Sequence, residues 1–229
     1  MVEIRDSTYE DISLLLDYIY RSPPGFLASI GVDSARLPSE LANRNALEAD
    51  LKKRASNSDF KLRILTVVVD GVPIGHHSVA DIIEGDSAVF HASIWNSQYR
   101  GKGIGSLTYP RACKILMDRF ELKKIVFKTP IQNIAAIRIK EKLGIPFLGE
   151  ELADSPISVP GTRVKIYALE RAQLERILNG GGLSALQLAQ SQLDAYNRRD
   201  VDSFVSFFNQ DVEVFSINVA KPMIAGGKA

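Results

Sequence analysis

The residues Gln98-Tyr99-Arg100-Gly101-Lys102-Gly103-Ile104-Gly105 bring three glycines and two cations together between a strand-like run, Ser87 to Trp95, and a helix-like run, Ser106 to Phe120. Such a segment is suited to holding phosphate. Glycine has no Cβ, so backbone N–H groups can come close to an anion, and a helix starting at the same place adds the positive end of its dipole and its unpaired first-turn N–H groups. The ligand this predicts carries a pyrophosphate.

Spacing separates the known designs for such a loop. A Walker loop requires G-x-x-x-x-G-K-[ST], which does not occur in this chain. A dinucleotide fingerprint requires G-x-G-x-x-G and an acid at the end of the next strand, whereas here the glycines run G-x-G-x-G and the strand Lys124 to Thr129 closes on Phe127-Lys128-Thr129 with no carboxylate. What remains, with Arg100, Gly103 and Gly105 meeting the pattern Q/R-x-x-G-x-G/A, resembles the acetyl-CoA loop of the GNAT acetyltransferase superfamily. A second segment supports it: Asn133 to Phe147 looks like that family's N-x-x-A-x-x-x-Y-x-K-x-G-F stretch. The resemblance extends over roughly Val2 to Leu169.

The resemblance implies an α/β (α+β) fold, a mixed and mostly antiparallel central sheet flanked by helices, and acetyl-CoA as cosubstrate with no metal. It places the pyrophosphate on Arg100, Gly101, Lys102, Gly103, Ile104 and Gly105. The pantetheine arm would pair with Ser93, Ile94, Trp95 and Asn96, whose N–H groups could face the thioester oxygen. Asn133 would touch the arm as well as cap its own helix, a cap worth ~1 kcal/mol. The implied activity is N-acetyl transfer to a primary amine, small-molecule or peptide, by direct attack in a ternary complex. The rival reading is an acyl-CoA-binding protein of the same fold with little catalytic activity, because Lys140 stands where many members have a tyrosine that protonates the departing thiolate.

A lysine-like amine of pKa ~10.4 is only about 0.1% neutral near pH 7.4, so a base helps, whereas an α-amine of pKa ~7.7 to 8.0 is already partly neutral. His91 shares strand parity with Ser93 and Trp95 and is the preferred base, acting directly or through water, with an expected pKa near 6 to 7. Glu84 and Asp81 are the runners-up. His76 and His77 are adjacent in a strand and point to opposite faces, which argues against a metal site.

Local pattern supplies the elements. Val2 to Arg5 reads as a strand, and Ser7 and Glu10 stand at N-cap and N3 spacing for a helix in which Ile12, Leu15, Leu16 and Ile19 form one face. Phe26 to Arg36 reads as loop and Ser39 to Arg54 as a helix, and substrate identity is expected to reside in these two segments. Lys61 to Val69, Val72 to Ile82 and Ser87 to Trp95 read as three antiparallel strands joined at Asp70-Gly71 and Glu84-Gly85-Asp86. Pro110 predicts a kink or break in the helix after the loop. Asn133 to Leu143 reads as helix, Phe147 to Glu150 as strand, Arg163 to Leu169 as an edge strand, and Arg171 to Leu178 as helix.

The chain of 229 residues carries a formal net charge of +1 and one cysteine, Cys113. Balanced charge argues against nucleic acid as a partner, and a lone cysteine excludes an intrachain disulfide framework. No apolar run approaches the ~20 residues of a membrane helix and no signal core opens the sequence, so a soluble cytoplasmic protein without a membrane partner is expected. The glycines at 180–182 suggest a linker at 179–182 between an acetyltransferase domain, 1–178, and a second unit, 183–229. In that unit Ala195 to Asp202 with Phe204, Phe207, Phe208 and Asp211 resembles the opening of a SnoaL-like or ketosteroid-isomerase-like domain. The isomerases' tyrosine and aspartate positions fall on Gln192 and Ser216, so the resemblance implies a truncated, non-catalytic appendage. Its apolar helix face is expected to dock on the first domain or on a second chain, in keeping with a homodimer.

Overall fold

β-branched runs build the sheet and turn residues with positive φ fold it. The computed structural model describes residues 1–23, 25–179, 185–206, 214–215 and 222–224. Seven strands form one sheet: β1 (Val2–Asp6), β2 (Ile64–Val69), β3 (Val72–Ile83), β4 (Ser87–Ile94), β5 (Lys124–Pro130), β6 (Phe147–Leu152) and β7 (Arg163–Glu170). Their spatial order is β1-β2-β3-β4-β5-β7-β6, antiparallel throughout except between β4 and β5. Asp70 and Gly71, with φ of 49° and 80°, make the β2–β3 turn in the left-handed conformation that matches strand twist.

Helices cover both faces. Helix α1 (Tyr9–Tyr20), the single turn α2 (Phe26–Ser29) and α3 (Glu40–Ser56) precede β2, and α1 and α3 pack Ile12, Leu16 and Leu51 against Ile64 on one face. On the other, α4 (Ile104–Arg119) buries Ala112, Cys113, Leu116 and Met117 completely against Phe90, Ile125 and Phe127. Helices α5 (Ile134–Lys142) and α6 (Arg171–Leu178) extend this layer.

The feature that positions the site is the β4–β5 junction. These parallel strands pair only at Ser87↔Lys124, Ala88↔Ile125 and Val89↔Val126 and then part, so the C-terminal half of β4 has β3 on one side and an open slot on the other.

Several local expectations change. The cap of α1 is Thr8, in a reciprocal box with Asp11, because Arg5 holds the Asp11 carboxylate at the helix start; Ser7 instead bonds the Thr66 hydroxyl at 2.8 Å. Strand β2 begins at Ile64, the 26–36 segment contains α2 and a 3-10 turn (Ser34–Arg36), and α4 starts at Ile104 and runs unbroken past the buried Pro110. Strand β7 lies inside the sheet between β5 and β6, with Val164, Tyr167 and Leu169 buried, and β6 is the edge, exposing Phe147, Leu148 and Leu152. The alternation in β7 misleads because its polar positions, Arg163 and Lys165, pair across to Glu150 and Glu141.

Beyond α6, helices α7 (Ala185–Asn197) and α8 (Val201–Ser206) and a short antiparallel pair, β8 (Val214–Phe215) and β9 (Pro222–Ile224), are described. The expected glycine linker at 180–182, and Phe207, Phe208, Asp211 and Ser216, lie outside the described residues. Helix α8 contacts α5, where the Ser203 hydroxyl, 2.7 Å from Asp200 Oδ2, also lies 3.1 Å from Glu141 Oε2 and shares its one proton between them. A contact of this kind is worth about 1 kcal/mol, so ending the chain at Asn179 is expected to keep one cooperative transition and lower Tm by only ~2–4 °C, as thermal melts would read.

Candidate active site

The loop forms its cradle as its glycines require. Gly101 and Gly103 have φ of 73° and 75°, and Gly103 is the N-cap of α4 with no side chain to satisfy the first-turn N–H groups of Ile104, Gly105 and Ser106. A Cβ built on Gly103 would meet nothing within 4 Å, so the cradle is open on that side, whereas one on Gly105 would come within 2.5 Å of Ile139 of α5. Gly103 therefore serves the open cradle, and Gly105 the close approach of two helices. Lys102 Nζ lies 5.7 Å from the centre of the Tyr99 ring at the loop's edge.

Arg100 is engaged at the end of β4. Its Nε donates to Ile94 C=O at 2.9 Å and Nη2 to Trp95 C=O at 3.1 Å, and its guanidinium stacks 4.6 Å from the Phe26 ring centre. The side chain thus braces the end of β4 to the loop and to α2.

Alternation decides which β4 groups face the slot. Trp95 N–H donates to Ile74 C=O at 2.7 Å, and Asn96 N–H reaches the same oxygen at 3.4 Å. In an antiparallel pair every second residue points its N–H and C=O away from the partner, which turns Ala92 and Ile94 toward the slot and Ser93 and Trp95 toward β3. Of Ser93, Ile94, Trp95 and Asn96, only Ile94 offers its N–H to the slot, and Ala92 is the residue that sequence reasoning missed. The register against β3 was the signal, and it requires knowing the pairing. Asn96 caps the short turn Ser97–Tyr99 through its side chain, which accepts from Gln98 N–H at 3.0 Å. Asn133 is the N-cap of α5, accepting from Ala136 N–H at 3.2 Å and leaving its amide nitrogen to donate elsewhere.

Lys140 is buried among the core rings on the α4 side of the sheet. Its Nζ lies 5.2 Å from the Tyr109 ring centre and 5.5 Å from that of Phe127, the first β5 residue beyond the parallel pairing. Burial among apolar groups pushes its pKa down from 10.5 to about 7. The same burial pushes the neighbouring Cys113 thiol up, so that thiol stays protonated.

His91 lies on the opposite face of the sheet, cross-strand from Ser78, beside a cavity of about 400 Å³. The ring is exposed to this cavity, yet the surrounding protein still desolvates it and lowers its pKa from 6.5, an effect that Asp81 opposes. Its titration is therefore shifted downward from the ordinary histidine value by burial. Asp81 sits at the β3 bulge with φ of 47°. Glu84 is not brought to the site: it lies in the turn before β4, paired with Lys61, while the cradle follows the strand's other end, roughly 25 Å away at ~3.3 Å per residue.

His76 and His77 diverge as their parity requires. His76 Nδ1 accepts from Trp95 Nε1 at 3.1 Å on the cavity face, and His77 Nε2 meets Thr108 Oγ1 at 2.9 Å under α4. Burial lowers both to about 3, so they are neutral packing groups. Among the described residues no group of His, Cys, Asp and Glu could hold a metal ion, and no helix is long and apolar enough to cross a membrane.

The β4–β5 split lies within a mixed sheet, and the uncapped start of α4 follows the end of β4. The acetyltransferase (GNAT) family model matches residues 30–145, and the chain belongs to that family. No curated protein matches the chain by sequence. Solved structures of the same fold include a spermidine N-acetyltransferase from Vibrio cholerae in complex with CoA and spermine, 18% identical over 76% of this chain and 98% of that one, with a TM-score of 0.59. An aminoglycoside acetyltransferase in complex with coenzyme A is 17% identical over 77% and 98%, TM-score 0.55. A GNAT-family acetyltransferase from Bacillus anthracis is 16% identical over 74% and 94%, TM-score 0.55.

Lys140 carries a stability prediction. With a pKa of about 7 folded and 10.5 unfolded, the unfolded chain holds more protons between those values, so stability rises with pH across that window and the penalty is complete below it. Lys140→Met is expected to stabilise the protein at pH 6–7, by an amount on the order of a few kcal/mol, and to flatten the rise toward pH 10 in denaturant melts.

Proposed function

We propose that the chain transfers an acetyl group from acetyl-CoA to a primary amine by direct attack within a ternary complex. The observation that carries this reading is a convergence: an α4 start with no side-chain cap follows the slot-facing backbone groups of Ala92 and Ile94, and the Lys140 ammonium packs beside Phe127, the first β5 residue past the pairing. The residues fit the cosubstrate. Backbone N–H groups from Gly101 to Ser106, with Lys102 beside them, would hold its pyrophosphate, Ile94 and Ala92 its amide-bearing arm, and Asn133 would donate to that arm. Bound acetyl-CoA supplies the activated acetyl group.

His91 accepts the proton of the attacking amine, directly or through water, as nitrogen bonds to the acetyl carbon and the carbon–sulfur bond breaks. Lys140, in the position of the family's tyrosine, gives its proton to the departing sulfur. The balance is one proton in at His91 and one out at Lys140, and both return to their starting forms through solvent. Arg100 acts by fixing the end of β4 against the loop.

Two measurements test this. Gly103→Val forces a β-branched residue into positive φ, a strain of ~1–2 kcal/mol, and puts its methyls in the cradle; calorimetry should show at least ~10-fold weaker coenzyme A binding, and unchanged affinity would overturn the cradle assignment. Single-turnover acetylation should rise through a pKa below 6.5 that disappears in His91→Gln and fall as Lys140 deprotonates near 7. Lys140→Tyr should carry the falling limb toward pH ~10, the phenol range. Tight coenzyme A binding with no turnover of any amine would instead favour a binding protein of this fold.

A further inference from the structure

We propose that the acceptor is a small monoamine whose amine is carried on one compact apolar group. The inference rests on the acetyl-transfer reading and names its second substrate.

The cavity beside His91 and Ser93 is walled by Leu15, Ile19, Leu27, Leu47, Ile64 and Ile157, from α1, α2, α3, β2 and the segment before β7. Its volume of about 400 Å³ falls within the range of small-molecule sites. The lining carries the neutral hydroxyls of Tyr18, Ser78 and Ser93, with Tyr18 hydrogen-bonded to Ser93, and its other polar groups are mostly engaged. His76 accepts from Trp95, and Asn43 Nδ2 donates to Tyr20 Oη at 3.2 Å. The lining carboxylate is Asp50, and Arg63 Nε already holds it at 2.8 Å.

A polyamine or aminoglycoside brings several ammonium groups, and each one taken from water needs a carboxylate or a set of acceptors. This cavity offers one acid, already neutralised, with the Arg63 guanidinium beside it to repel a second cation. Glu40 and Glu48, on the same α3, lie off the lining and are bound to Arg21, Arg44 and Lys52. At the β4 end the lining does provide for a single amine, with His91 and the Ser93 hydroxyl on the same sheet face. The remaining volume is suited to hydrocarbon, which burial rewards by an amount proportional to its area. The chemistry therefore differs from that named for the spermidine and aminoglycoside enzymes of similar fold.

The test is a series of n-alkylamines from propylamine to hexylamine, with 2-phenylethylamine, spermidine, kanamycin and a leucine-initiated tripeptide, each titrated by calorimetry into the full chain saturated with coenzyme A and assayed for acetylation. Affinity should climb by about 4-fold per added methylene, the ratio expected for a buried CH₂, and hexylamine and 2-phenylethylamine should exceed spermidine and kanamycin. Leu47→Asp should reverse the climb, and Arg63→Gln, which releases Asp50, should narrow the gap to spermidine. A flat alkyl series, tighter binding of spermidine or kanamycin, or preference for the tripeptide would overturn the proposal. Ranked binding without any acetylated product would leave the acceptor class standing and overturn the acetyl-transfer reading instead.

Discussion

The early end of the β4–β5 pairing is the constraint on which the rest of the site depends. Three residues of parallel ladder hold the strands at one end, and beyond Val89 and Val126 each strand's inward edge lacks the other. Past that point β4 and β5 no longer satisfy each other's backbone groups, and at the end of β4 the Ile94 carbonyl is met instead by Arg100 Nε. The aromatic rings of Phe90, Tyr109 and Phe127, with centroids 5.2 to 6.2 Å apart, fill the space beneath the fork from the α4 side. The loop of glycines then begins where β4 ends, so cradle and slot are consecutive along the chain.

Lys140 shows how the two sides of that fork differ electrically. A buried ammonium over two ring faces gains a cation–π attraction of ~2 kcal/mol or less, too little to offset its loss of water, and its pKa falls accordingly. Such a group costs stability in the resting protein and becomes useful only when a developing anion arrives nearby. His76 and His77, equally buried, are the contrasting case: each is neutral, each makes a hydrogen bond at one ring nitrogen, and neither has chemistry to offer. On the cavity face, His91 is exposed, and there desolvation lowers its pKa while Asp81 opposes the shift.

The cradle, the strands and the helices were legible in the sequence because each is a local pattern. Glycines at Gly101 and Gly103 mark positive φ, Asp70-Gly71 marks a hairpin, and the period of Ile12, Leu15 and Leu16 marks a buried helix face. Residue parity alone separated His76 from His77. Order in the sheet was harder, and the alternation of Arg163 to Leu169 suggested an edge because local polarity cannot reveal that β6 pairs outside β7 and that Glu150 of β6 and Glu141 of α5 engage its charges.

What the sequence by itself determined, then, is the glycine-rich, uncapped helix start and the family to which the surrounding pattern belongs. Only the tertiary structure decided which groups border that loop and the slot beside it. Whether Ile94 or Trp95 turns its N–H to the slot depends on register with Ile74, twenty residues upstream. Whether Arg100 meets phosphate or carbonyl depends on where the chain ends of β4 and α2 meet, and whether Glu84 reaches the site depends on which end of β4 the cradle occupies. The depression of Lys140 and the neutralisation of Asp50 by Arg63 arise in the same way. Charge and hydrogen bonding act through distances of a few ångströms between residues far apart in the chain, and folding alone sets those distances.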